Sequence, residues 1–273
     1  MKKVFSILGL CAFTVLAFNA CNKADTPKVI RFTATISQPL NETKTHASGM
    51  NLVWDEDDVI KVVNPDEVSY DFKLVSATEK VATFVADDPN TLAFIADINT
   101  KDYVAFYPNS VEVEDGFRMT IPAEQTYVSG RNFANNTYPM VGFNEGSDFV
   151  FQSNAGFLCV SFMAPAGQTR EIDRVVLIAN EDICGDIVYA KDGLSYIFEA
   201  LGNTITLTSS EKLAISDESG RVFTFILPEG CLANGFRVEA YDGESLIASK
   251  ETMNPQNVIV AQEFRDMPVV VTE

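Results

Sequence analysis

The sequence predicts an all-β protein built from β-sandwiches, and three observations carry that reading. Hydrophobic and polar residues alternate along many short stretches, as in Phe32, Ala34 and Ile36 against Thr33, Thr35 and Ser37, the period of half-buried strands. Asp-Gly pairs stand between such stretches at Asp115-Gly116, Asp192-Gly193 and Asp242-Gly243, and this pair favours tight hairpin turns because both residues tolerate positive φ. No stretch carries the 3.6-residue spacing of an amphipathic helix several turns long, so the many short strands argue against a parallel α/β sheet.

The N-terminus precedes the fold and has its own logic. Lys2 and Lys3 are followed by an uncharged apolar run from Val4 to Phe18 and then by Asn19-Ala20-Cys21. This is the order of a secretory signal. The run is shorter than the roughly 20 residues a membrane-spanning helix needs. A cysteine directly after a small residue is where lipoprotein signal peptidases cut once the thiol carries a diacylglycerol. The expectation is a signal peptide over residues 1–20 and a lipid on Cys21, and the alternative is an ordinary secreted chain with an incidental cysteine. Residues 21–28 then form a short polar tether.

The first expected strand covers Val29 to Ser37. Further alternation recurs to Phe236, Val238 and Ala240 and beyond. The polar, turn-rich stretch Phe143-Asn144-Glu145-Gly146-Ser147-Asp148 marks the best boundary. It divides the mature chain into residues 29–145 and 146–273, each with strands enough for a sandwich of its own.

The chain has 20 basic and 38 acidic residues, a net charge of −18. Such a balance opposes binding to nucleic acid or to an anionic bilayer, so any membrane contact rests on the lipid. The acidity itself reads as a solubility device. Cys159, Cys184 and Cys231 each lie in or beside apolar segments with no metal-like spacing, and read as small buried hydrophobes with at most one disulfide among them.

Little in the sequence marks out a catalytic centre. The single histidine, His46, sits in a polar loop, which leaves almost no material for a histidine-based triad or metal site. Phosphate-binding and nucleophile-elbow motifs are absent, and no cofactor or metal is expected. The acidic run Asp55-Glu56-Asp57-Asp58 reads as a solvated turn before a strand in preference to a calcium loop, because the EF-hand spacing is missing. A carboxylate-based hydrolase stays open on residue counts alone, with no pair singled out.

Several stretches, taken in order, resemble the fimbrillin-like family of Bacteroidetes surface lipoproteins. They are Ile30-Arg31-Phe32-Thr33-Ala34-Thr35-Ile36, Thr43-Lys44-Thr45, Leu52-Val53-Trp54 with Asp58-Val59-Ile60-Lys61-Val62, Tyr103-Val104-Ala105-Phe106-Tyr107-Pro108, Ile121-Pro122-Ala123-Glu124-Gln125-Thr126-Tyr127 and Phe151-Gln152-Ser153-Asn154-Ala155-Gly156-Phe157-Leu158. The resemblance covers most of the mature chain.

The resemblance implies two tandem transthyretin-like β-sandwich domains and no enzymatic activity. It implies a surface protein of the outer membrane that acts in adhesion as a structural or accessory subunit of a fimbria. The partners would be identical or related fimbrial subunits, joined by strand addition, in which an apolar groove with unpaired backbone groups accepts an alternating strand. In polymerising members a protease removes the first strand by cutting after an arginine.

Laid onto this chain, the cut falls in Asn41-Glu42-Thr43-Lys44-Thr45, with Lys44 in the arginine position. Lysine lacks the guanidinium fork an arginine-specific enzyme reads. A lysine-specific or trypsin-like enzyme cutting at Lys44, and a chain that is never cut and stays on Cys21, are the two outcomes left open. The terminal stretch Phe264–Val271 either completes its own domain or is donated to a neighbour, and Pro268 suits an edge or exchanging strand. The rival reading is a glycan-binding surface lipoprotein that does not polymerise, for which the sequence offers one tryptophan, Trp54.

Overall fold

The computed structural model describes residues 30–37, 54–78, 81–86, 91–94, 98, 101–129, 133–134 and 136–273. Cys21, Lys44, the signal 1–20 and the tether 21–28 lie outside the described residues. In chain order the first elements are β1 (Ile30–Ile36), β2 (Val59–Val63), β3 (Ser69–Thr78), β4 (Val81–Ala86), the helical turn α1 (Thr91–Phe94), β5 (Val104–Tyr107), β6 (Glu112–Val113), β7 (Phe117–Ile121), β8 (Glu124–Tyr127), β9 (Met140–Glu145) and β10 (Asp148–Gln152). They are followed by β11 (Ala155–Met163), β12 (Thr169–Ala179), β13 (Cys184–Tyr189), β14 (Tyr196–Gly202), β15 (Thr204–Ser216), β16 (Arg221–Pro228), β17 (Phe236–Asp242), β18 (Ser245–Thr252) and β19 (Phe264–Val271). The protein is all-β, as the alternation predicts.

The hairpins follow from turn chemistry. Asp115 and Gly116 both hold positive φ, at 47° and 135°, and turn β6 into β7. Asp242 pairs with Ser245 across Gly243, whose φ is 58°, and turns β17 into β18. Asp192-Gly193 sits in the longer loop 190–195 between β13 and β14, where the Asp192 carboxylate accepts the amide of Leu194 at 2.9 Å.

Seven strands, in the order β1-β10-β9-β5-β2-β3-β4, close into a barrel, where an open pair of sheets was expected for the first half. Alternation tells which face of a strand is buried but not which strands are its neighbours. Here β1 pairs on both edges, antiparallel to β4 from Ile30 to Thr35 and parallel to β10 from Thr33 to Ile36. The stretch 143–148, read as a domain boundary, supplies the end of β9, a tight turn with Gly146 at φ 70°, and the start of β10. The barrel's strands therefore run on to Gln152.

Three further sheets hold the rest, in the orders β16-β11-β19, β18-β17-β12-β15-β8 and β14-β13-β7-β6. Two of them take strands from before residue 128, since β7 pairs with β13 and β8 runs parallel to β15. Among the described residues no helix is long and apolar enough to cross a membrane.

Candidate functional site

The first strand is held in the barrel by backbone on both sides and by three inward side chains. Phe32, Ala34 and Ile36 are each buried to 3% exposure or less, with the intervening threonines half-buried. Phe32 packs between Phe72, with ring centroids 4.7 Å apart, and Phe149, edge-on at 5.3 Å. Burying a phenylalanine and an isoleucine contributes roughly 1.5–3 kcal/mol each. Lifting β1 out would expose a slot with a large, a small and a medium pocket. Its walls would be the freed edges of β4 and β10, which is the form of a strand-addition site.

The slot ends in a polar clasp. The Ser37 amide and its Oγ both donate to the carbonyl of Phe151, at 2.8 and 2.7 Å. Gln262 Nε2 donates to the Ser37 carbonyl at 2.8 Å and lies 3.3 Å from its Oγ. Gln262 belongs to the turn that launches β19, where the Glu263 amide donates to the Val260 carbonyl at 3.1 Å. It holds φ at 62°, in the left-handed region that ordinarily favours glycine. That turn lies against Gly156, where an added Cβ would stand 2.2 Å from the Val260 carbonyl oxygen.

The last strand follows its sheet through a bulge. β19 pairs parallel to β11 on one edge, and the register slips so that two steps along β11, from Val160 to Phe162, match three along β19, from Met267 to Val270. Pro268 stands in this bulge, where its missing N–H costs no ladder bond. The bulge turns Met267 and Val270 inward and leaves Val269 and Val271 outward, 52% and 58% exposed. Beyond it, the Glu273 amide donates to the carbonyl of Ile247 on β18 at 2.7 Å. Thr272 is buried, and its Oγ1 has no hydrogen-bond partner.

Other residues singled out in the sequence have structural settings. Trp54 is buried, with Phe84, Tyr107 and Phe151 edge-on to it at 5.1 to 5.5 Å. It is therefore core and not an exposed platform. In the acidic run, Asp58 is also buried: it accepts the Tyr107 hydroxyl at 2.7 Å and the Asp55 amide at 2.7 Å. Among the described residues no group of three or more potential ligands is placed to hold a metal. Cys159, Cys184 and Cys231 are buried free thiols, and burial pushes the Cys159 thiol up to about 12.

Sequence reasoning found β1 through alternation and β19 as an apolar terminal stretch; it gave Ser37 no role beyond a polar strand position and passed over Gln262 and Thr272. Nothing local announces that Gln262 meets Ser37, because 225 positions separate them.

No protein-family model matches this sequence, and no curated protein matches it. Solved structures do. A protein from Bacteroides ovatus provisionally assigned to cell adhesion is 14% identical, covers 91% of this chain and 96% of its own length, and superposes with a TM-score of 0.54. A second of the same description, from Bacteroides uniformis, is 13% identical over 92% of this chain and 98% of its own, with a TM-score of 0.50. A fimbrial protein from Bacteroides ovatus matches more loosely, at 11% identity and a TM-score of 0.41, over 87% of this chain and 47% of its own. The chain is similar in fold to the first two of these Bacteroides proteins, in agreement with the fimbrillin-like resemblance of its sequence.

Proposed function

We propose that this chain is a lipid-anchored surface subunit of a fimbria that acts in adhesion and joins its neighbours by strand exchange. The observation that carries the reading is the place of β1. It is the first strand among the described residues, and it closes the barrel between β4 and β10. A cut on its C-terminal side, at Lys44, would free it together with the lipid on Cys21 and open the slot. An uncut chain would stay on the membrane as an anchor or accessory subunit. The likeness in fold to proteins assigned to cell adhesion supports the same reading.

In this reading the chain carries two transthyretin-like units, and the first runs on to Gln152, because β10 belongs to its barrel. The first keeps its N-terminal strand on loan, and the second offers β19. Strand exchange of this kind needs no catalytic group, so the protein is not an enzyme.

The test is to fold the full chain, treat it with a trypsin-like protease and run it on denaturing gels without boiling. Ladders of subunits are expected, each with Thr45 as its new N-terminus. Trimming at that point that yields monomer alone would remove the polymerising reading.

A further inference from the structure

Four observations bear on how a donated strand would be read. First, β19 carries two overlapping patterns. The bulged one used at home turns Phe264, Met267 and Val270 toward the core. A regular strand through the same residues would instead put Met267, Val269 and Val271 on one face, which accounts for the two valines left exposed at home.

Second, that regular pattern matches β1. Phe32, Ala34 and Ile36 point into the barrel and Ser37 follows. Met267, Val269 and Val271 have the same spacing, and Thr272 follows. The smaller Met and Val at the two ends leave room for the larger Val in the middle, the kind of near volume-conserving exchange that cores tolerate.

Third, the direction agrees: β19 is parallel to β11 at home, and β1 is parallel to β10 in the slot. The ladder type is kept, and Pro268 falls at Thr33, the first residue of the β10 pairing, where a missing N–H is least costly.

Fourth, Thr272 Oγ1 is the one described side-chain atom that is buried without a hydrogen-bond partner, an arrangement that ordinarily costs stability and that native structures avoid. In the matching position Ser37 Oγ has partners on both sides, donating to the Phe151 carbonyl and facing Gln262 Nε2.

We infer that the clasp of Gln262 and the Phe151 carbonyl is a hydroxyl-reading site that sets the register of the incoming strand, and that Thr272 of a second copy is the residue it reads. This rests on the strand-exchange reading, and adds to it the residue-by-residue alignment and the group that enforces it. A slip of one residue would turn the wrong face to the core. A slip of two would bring Val270 to the clasp, leaving Gln262 Nε2 without a hydroxyl. Hydrophobic pockets alone distinguish Met, Val and Val poorly, so a polar stop at the end of the slot supplies what they lack.

The experiment uses the full chain, folded first and then cut in place by a trypsin-like protease in the presence of labelled peptides spanning residues 265–273. The unaltered peptide is expected to be retained, a Thr272→Ser peptide to be retained equally, and a Thr272→Val peptide to bind about tenfold more weakly, the loss of roughly one well-made pair of hydrogen bonds. In a Gln262→Ala acceptor the Thr and Val peptides should differ by about twofold or less.

Equal binding of the Thr and Val peptides to the unaltered acceptor overturns the register-setting clasp and leaves strand exchange standing. Failure of every peptide to bind overturns both. A second variant reads the donor side. Thr272→Val in the full, uncut chain should keep or raise its Tm while slowing ladder formation after cutting, and a lowered Tm with unchanged laddering speaks against the assignment.

Discussion

The hydroxyl of Tyr107 donates to Asp58 Oδ1 at 2.7 Å inside the barrel, and both residues are buried. The phenol also accepts the Asn136 amide at 3.1 Å. It thus ties the loop before β2 to the segment before β9 through a single side chain. Replacing it with phenylalanine removes a donor from a buried carboxylate and an acceptor from an amide. Tyr107→Phe is expected to destabilise the fold by roughly 1–3 kcal/mol, read as a lower midpoint in urea with an unchanged slope.

The same burial predicts alkaline lability. Desolvation, followed by the Asp58 charge, pushes the Tyr107 phenol well above its ordinary 10.0, and burial does the same to Tyr138 and Tyr189. Cys159 rises from 9.0 to about 12, and Cys231 rises as well. These groups bind protons more tightly folded than unfolded. Their stabilisation is complete below pH 9 and is lost as the pH climbs through and beyond 10, because the unfolded chain ionises first. Tm measured from pH 7 to 11 should fall steeply only above about 9, and the phenolate absorbance contributed by Tyr107, Tyr138 and Tyr189 should appear together with unfolding.

Phe32→Ala tests the hold of the barrel on its first strand. The cavity would sit between Phe72 and Phe149, and the expected cost is about 3–5 kcal/mol. Amide exchange should then rise in β1 and along the facing edges of β4 and β10 more than in β12, whose neighbours are β15 and β17.

Gly156→Ala tests the seat of the turn before β19. Its Cβ would stand 2.2 Å from the Val260 carbonyl oxygen and 2.8 Å from the Ile259 side chain, so the backbone of one segment has to move. A loss of roughly 1–3 kcal/mol is expected, as for other overpacked sites. Faster exchange at Phe264–Val271 would show where the displacement goes; protection there equal to the unaltered chain would contradict the account.

By contrast, Arg118→Ala should change Tm very little. The guanidinium sits 2.7 Å from both Asp186 and Glu199, yet it is only half-buried and Glu199 is open to solvent, and ion pairs screened in this way contribute little. Equal melting of the two proteins in low and high salt is the expected result.

How much of this was legible in the sequence depends on range. Asp115-Gly116 and Asp242-Gly243 announced their turns because turn chemistry is local, and Phe32, Ala34 and Ile36 announced a buried face because strand period is local. Barrel closure is not local: Ile36 meets Phe151, and no pattern in either stretch names the other. Asp58 was read as one of four solvated acids, since its distinguishing partner, Tyr107, lies 49 positions away. The bulge of β19 hid in plain view, because Met267, Val269 and Val271 alternate in sequence while the strand does not use that alternation at home. Cys21 and Lys44, the positions on which the proposed anchoring and processing turn, lie outside the described residues.

The pairing of β1 also bears on the order of events during folding. Its antiparallel partner β4 ends at Ala86, but its parallel partner β10 ends at Gln152. Thr33 and Asp148 lie 115 positions apart, and contacts of that range form late because a long loop must close before they are gained. The first of the described strands is thus fully seated only after a strand far along the chain has joined it. Until β10 has folded, β1 is held on its β4 edge only, and the 66 positions from Ala86 to Gln152 must be ordered before its second edge is covered.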